Sequence, residues 1–172
     1  MSNKQVEIIM GSDSDLEVMQ DSALALEKFN IDYEITISSA HRHPSKTSEI
    51  AQNAAAQGRK VIIAGAGGAA HLPGVIASMT SLPVIGVPIF TSSVGGIDSL
   101  YSIVQMPRGM PVATVAINGA FNAGLLAVQI IALHDDNLFQ KYQSYREELA
   151  EGVENKDHKL KEKGFRRYLE ES

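Results

Sequence analysis

Apolar residues along the chain gather into short continuous runs, separated by stretches with helical spacing. Runs at Gln5–Met10, Tyr33–Ile37, Lys60–Ala64, Pro83–Val87 and Val112–Ala116 are predicted to be strands. Val61-Ile62-Ile63-Ala64 has no polar position, as expected where helices cover both faces of a parallel sheet. Between the runs, the periodicity predicts helices over Ser14–Phe29, Ser45–Gln57, Leu72–Met79 and Ile97–Gln105. This alternation predicts an α/β fold, a central parallel sheet with helices on both sides.

The segment Gly119–Leu133 is apolar nearly all round. A helix without a polar face must be covered on every side, and one sheet covers only one. It is therefore predicted to lie at a subunit interface, where Gly119, Ala120, Ala123, Gly124 and Ala127 would admit a second backbone. Burial by its own chain is the alternative. Leu138, Tyr142, Tyr145 and Leu149 then form a helical stripe that predicts docking on this subunit or a neighbour. Residues 1–152 are read as one α/β domain including that helix, and the charged residues 153–172 as a frayed or mobile tail. Neither a second domain nor an internal repeat is visible.

Composition narrows the class. The 172 residues are 44% hydrophobic, enough for a core without disulfides, and there is no cysteine for a thiolate metal site or nucleophile. A net charge of −5 argues against a general nucleic-acid partner. Val6–Met10 is too short for a signal-peptide core, and Ala120–Leu133 too short for a membrane span. A cytoplasmic protein with no membrane partner is expected.

Ligands of open parallel sheets bind beyond the carboxyl ends of the strands, and three loops there are unusual. Gly11-Ser12-Asp13-Ser14-Asp15 opens a helix; its amides and the hydroxyls of Ser12 and Ser14 suit a phosphate, while Asp15 suits ribose hydroxyls. Plain N-capping by Asp13 or Ser14 fits the same residues. Ser39-Ala40-His41-Arg42-His43-Pro44 joins a proton-exchanging imidazole to a guanidinium suited to phosphate or carboxylate. His41 and His43 could share a face and hold a metal, but no third ligand stands at a telling spacing. The third loop, Gly65-Ala66-Gly67-Gly68-Ala69-Ala70-His71-Leu72-Pro73-Gly74, lets a ligand approach the backbone closely. Its G-x-G-x-x-A start follows the third strand and lacks a later acidic residue, so a nicotinamide site is not expected. No Walker-type loop or nucleophile elbow is present. The loop Met106–Pro111 could cover a site or merely turn the chain.

These loops, with Asp98-Ser99-Leu100-Tyr101-Ser102-Ile103-Val104-Gln105-Met106-Pro107 and Asn122-Ala123-Gly124-Leu125-Leu126-Ala127 following in order, resemble the bacterial carboxyaminoimidazole ribonucleotide mutase family over residues 5 to 150. The resemblance implies a flavodoxin-like three-layer domain assembled as a homo-octamer. It also implies a reaction of purine (IMP) biosynthesis: N5-carboxyaminoimidazole ribonucleotide becomes its 4-carboxy isomer, with no metal, ATP or organic cofactor. By the same resemblance the catalytic histidine falls on His41, and Ser12, Asp15 and Arg42 bind the nucleotide. Ser14, Ser39 and Ala40 belong to the same loops, and Gly67, Ala70, His71 and Leu72 line the carboxylate pocket.

The sequence departs from the family at His43, where threonine is usual, at Leu16, often tryptophan, and in a shortened loop around Asn118–Phe121. A CO2-dependent carboxylase of aminoimidazole ribonucleotide and a non-catalytic flavin- or nucleotide-binding module are the rival expectations.

Overall fold

A computed structural model describes residues 4–171. Five strands, β1 (Val6–Met10), β2 (Tyr33–Ile37), β3 (Val61–Gly67), β4 (Val84–Ile89) and β5 (Ala113–Thr114), form one sheet in the order β2-β1-β3-β4-β5. Every pairing is parallel. This is the flavodoxin-like order, in which the winding direction reverses between β1 and β3 and leaves a crevice beyond their carboxyl ends.

Six helices cover the sheet: α1 (Leu16–Lys28), α2 (Pro44–Asn53), α3 (Leu72–Ala77), α4 (Ile97–Val104), α5 (Ala120–Ala132) and α6 (Asp136–Glu170). Successive strand side chains point to opposite faces, and the strands divide their residues accordingly. Val6, Ile8 and Met10 of β1, with Val61 and Ile63 of β3, pack under α1, α5 and the start of α6. Ile9, Ile62, Ala64 and Ala66 face α2, α3 and α4. Each fully buried isoleucine, such as Ile8 or Ile63, contributes on the order of 1.5–3 kcal/mol through area removed from water.

Several boundaries differ from those predicted. β3 continues through Gly65-Ala66-Gly67 and pairs these residues with β4, so the loop begins only at Gly68. Glycine is a weak strand former, but a Cβ on Gly65 would stand 2.3 Å from Met19 Sδ of α1, so the bare backbone is what lets the helix seat there. β5 is reduced to two residues at the sheet edge, just after Pro111, which cannot donate to a ladder. α2 ends at Asn53 and turns through Gly58, whose φ is +87°.

The small residues of α5 do admit another backbone, but it is α1 of the same chain. A Cβ on Gly124 would lie 2.6 Å from Ala25 Cβ and 2.7 Å from the Ser22 carbonyl oxygen. Ser22 Oγ donates to the carbonyl of Ala120 across this contact at 2.7 Å. The side of α5 carrying Ala120, Ala123, Gly124, Ala127 and Val128 is thereby covered from within, while Asn122 and Gln129 remain exposed.

Tyr142 and Tyr145 of α6 dock on Phe29, with ring centroids 5.9 and 5.6 Å apart, as the helical stripe predicts. Beyond Gly152, where fraying is expected, the chain is helical to Glu170 with one break at Gly164. Ion pairs four residues apart, Lys161–Asp157 and Arg167–Glu171, and a His158–Glu154 hydrogen bond of the same spacing line this exposed length.

At the amino end of the sheet a buried ion pair fixes β1 to the approach to β3. Arg59 Nε donates to Glu7 Oε2 at 3.0 Å, and Thr36 Oγ1 of β2 donates to Glu7 Oε1 at 2.7 Å. Among the described residues no helix is long and apolar enough to cross a membrane.

Candidate active site

The carboxyl ends of β1, β2 and β3 open together onto a cavity of about 520 Å³. Ser12, Asp15, Ser39, Ala40, His41, Arg42, Gly67, Ala70, His71 and Leu72, all expected from the sequence, lie on its wall. Ser14 does not. It lies beside a different depression with Glu17 and Phe90, and within the loop its hydroxyl reaches only Asp15 Oδ1, at 3.4 Å. A short 3-10 turn over Asp13–Asp15 causes this, turning Asp15 inward and Ser14 out.

The β2–α2 loop is tied down from below. Ser38 N donates to Met10 O at 2.8 Å, and the buried Ser38 and Thr47 hydroxyls bond to each other at 2.8 Å. His43 N donates to Ser39 O at 2.8 Å and closes the turn that presents His41 and Arg42. His43 itself turns away from His41. Its Nδ1 accepts from the Lys46 amide at 3.3 Å and lies 3.2 Å from Ser45 Oγ, making it the N-cap of α2, with Pro44 opening the helix.

His71 arrives from the opposite wall. Gly68 and Ala70 both adopt positive φ, +62° and +40°, and the Ala70 amide donates to Gly67 O at 3.2 Å. For alanine this conformation costs about 1–2 kcal/mol, so packing must hold it; Ala70 is buried. The tight turn brings His71 Nδ1 to 2.7 Å from His41 Nε2, with the rings at 88° and their centroids 4.9 Å apart. A bond between two ring nitrogens needs one proton, donated by one imidazole and accepted by the other.

Around this pair the charges are sorted. Arg42 Nη2 donates to the Gly11 carbonyl at 2.9 Å, and both the Arg42 amide and its Nε lie within reach of Ser39 Oγ. Partial burial pushes the Asp15 carboxyl above its usual 3.8; the Asp13 charge acts the same way, while hydrogen bonds from Ser12, Ser14 and Gly11 oppose it. Among the described residues no group of three or more histidines and carboxylates gathers as a metal site would require.

Sequence reasoning missed Thr91, which also lines the cavity. It is two residues beyond β4, so the strand-end rule applied to the fourth strand would have found it. Its hydroxyl lies 3.4 Å from both carboxylate oxygens of Asp98. The Met106–Pro111 loop is not on the wall; Met106 packs beside Gly74 of α3.

Known proteins resemble this chain along nearly its whole length. Residues 5–152 match the family model described as AIR carboxylase. The chain is 57% identical over 165 residues to an N5-carboxyaminoimidazole ribonucleotide mutase of Thermotoga maritima, covering 96% of each. It is 55% identical to a phosphoribosylaminoimidazole carboxylase of Schizosaccharomyces pombe, of which it spans only 30%. Among solved structures it resembles Treponema denticola PurE, with a TM-score of 0.84 and 32% identity, covering 91% of this chain and 98% of that one. With a family match across the whole α/β domain and a relative matched along nearly its full length, this chain belongs to the AIR carboxylase family.

Proposed function

We infer that the chain is a mutase of purine biosynthesis, converting N5-carboxyaminoimidazole ribonucleotide into 4-carboxy-5-aminoimidazole ribonucleotide. The observation that carries this reading is the division of one cavity between two kinds of group. His41 and His71 stand in contact beside a nearly bare backbone at Gly67 and Gly68, while Ser12, Ser39 and Arg42 provide hydroxyls and a cation. The first set suits proton movement next to a small neutral molecule, and the second suits a phosphorylated sugar.

In this reading Asp15 accepts hydrogen bonds from the ribose hydroxyls, and Arg42, Ser12 and Ser39 hold the phosphate. The imidazole of the substrate lies against His41. As the N–CO2 bond breaks, its electron pair stays on nitrogen, and His41 donates a proton there. The CO2 released is uncharged, so only the walls retain it, Gly67 and Ala70 among them. C4 of the imidazole attacks the CO2 and forms the new C–C bond. The proton left on C4 returns to His41, and no net proton is consumed. His71 orients the His41 ring through the bond between them. Proximity supplies much of the acceleration, since well-oriented intramolecular reactions reach effective molarities of about 10⁵–10⁸ M. Acid–base catalysis by His41 adds about 10²–10⁴-fold.

No step here asks for a metal or an organic cofactor. We place the enzyme in the cytoplasm and assemble it as a homo-octamer. In support of association, Val94, Ile97, Tyr101 and Val104 on and before α4 leave large apolar side chains exposed, and Leu133 at the end of α5 is 74% exposed. Light scattering that returned a monomer would remove the assembly from the proposal.

The deciding experiment follows formation of the 4-carboxy nucleotide from two substrates in parallel. Rapid turnover of N5-carboxyaminoimidazole ribonucleotide, with little from aminoimidazole ribonucleotide at limiting bicarbonate, is expected. The reverse preference would make the protein a carboxylase. Silence in both would leave a nucleotide-binding module, and a yellow protein with flavin absorbance would support that alternative.

A further inference from the structure

The two sides of the cavity differ in chemistry. Beyond β1 and β2 it is lined by Ser12, Asp15, Ser39 and Arg42, and beyond β3 and β4 by Ala66, Ala70, Leu72 and Thr91. We propose that Thr91 is a specificity-determining residue, whose methyl group closes the β4 side of the space that holds released CO2. It thereby sets how often the carboxyl group is transferred and how often it is lost. The proposal rests on the mutase reading and adds a residue that reading does not use.

Gly67, the last residue of β3, is the register partner of Ile89, the last of β4, and Thr91 follows two residues later. A Cβ on Gly67 would stand 3.0 Å from Thr91 Cγ2. The threonine methyl therefore fills the room that the glycine leaves, and carbon covers the main chain of β3 there. The hydroxyl is engaged elsewhere. Thr91 Oγ1 lies 3.4 Å from both carboxylate oxygens of Asp98, which sits in the first turn of α4 and off the cavity wall. A β-branched side chain has few rotamers, so holding its hydroxyl also holds its methyl. The main chain is fixed as well. Gly95 N donates to Thr91 O at 2.9 Å, and the buried Ser99 hydroxyl lies 2.8 Å from the carbonyls of Ile89 and Gly96.

Released CO2 carries no net charge, so the fit of the walls retains it, not an ion pair. Two fates then compete. If C4 of the imidazole attacks first, the 4-carboxy nucleotide forms and the proton on C4 returns to His41. If CO2 escapes first, aminoimidazole ribonucleotide remains, its nitrogen keeps the proton that His41 gave, and His41 takes another from water. A methyl on the wall changes escape without touching either proton transfer. Its signature is therefore the ratio of the two products.

A single turnover of N5-carboxyaminoimidazole ribonucleotide, with enzyme in excess so that little substrate decomposes free in solution, tests the assignment. The ratio of aminoimidazole ribonucleotide to 4-carboxy nucleotide is measured for wild type, T91S and T91V. T91S keeps the hydroxyl and removes the methyl, while T91V keeps a methyl toward Gly67 and removes the hydroxyl. In T91S the ratio should rise about fourfold, the free energy of one buried methyl expressed as a ratio of rates. In T91V it should stay at the wild-type value. A general loosening of the segment between β4 and α4 would give the reverse order, because T91V loses the Asp98 contact and T91S retains it. A rise in T91V as large as that in T91S, or an unchanged ratio in T91S, would overturn the proposal. Failure of the underlying reading looks different, because the wild type would then form no 4-carboxy nucleotide from this substrate.

Discussion

His41 and His71, thirty residues apart, meet nitrogen to nitrogen at 2.7 Å across the cavity mouth. Because the two rings share one hydrogen bond, they are expected to act as a unit, and effects of residues that act as a unit do not add. His41→Asn should fold, still bind the product nucleotide, and lose about 10²–10⁴-fold in turnover. His71→Asn should lose less, since it removes the partner and not the group that exchanges the proton. The double variant should be no slower than His41→Asn alone, and fully multiplicative losses in kcat would show that the two imidazoles work independently.

Asp15 combines a functional benefit with a stability cost. An acid whose pKa is raised by folding holds its proton more tightly folded than unfolded. Its contribution is most favourable below 3.8 and is lost as pH rises through the raised value. At neutral pH the partly buried carboxylate therefore weakens the fold. Asp15→Asn should melt higher than wild type at pH 7, with the gap closing as pH falls toward 3.8, and should raise KM by removing a ribose contact. Thermal melts across that range check the sign; a variant that melts lower at pH 7 would contradict it.

Arg59→Met should be among the most destabilising changes outside the active site. Arg59 and Glu7 are 8% and 3% exposed, and removing one partner of a buried pair leaves a charge without compensation, at a cost of about 3–5 kcal/mol. Adding Glu7→Leu should recover most of that stability, because a well-packed apolar pair can replace a buried ionic one. Urea unfolding of the two single variants and the double variant measures the coupling.

Gly124→Ala tests the approach of α1 to α5. The new methyl would meet Ala25 Cβ and the Ser22 main chain, neither of which can swing aside. A loss of about 1–3 kcal/mol is expected from overpacking, with KM unchanged because the contact is remote from the cavity. A neutral result in denaturant melts would show that the two helices separate freely.

Much of the fold was legible because its signals are local. Val61-Ile62-Ile63-Ala64 and the other apolar runs announce buried strands, and the spacing between them announces helices, so all five strands and every predicted helix appear. The ends were less legible. Gly65-Ala66-Gly67 reads as a loop by composition, and pairing with β4 makes it a strand. Ser14 reads as a ligand-facing hydroxyl, and a 3-10 turn points it elsewhere. The small residues of α5 announce a close neighbour without saying that α1 is that neighbour.

By itself the sequence determined the alternation of strands and helices, the loops in which chemistry would be found, and the family those loops resemble. These depend on residues near one another in the chain, whose periodicity and backbone preferences act over a few positions. Only the tertiary structure decided that His41 meets His71, that His43 caps a helix instead of joining His41, and that Arg42 and Lys46 are moored to adjacent strand ends. Those relationships depend on the strand order β2-β1-β3 and on the exact ends of the strands. Strand pairing across tens of residues sets both, and no local pattern encodes it.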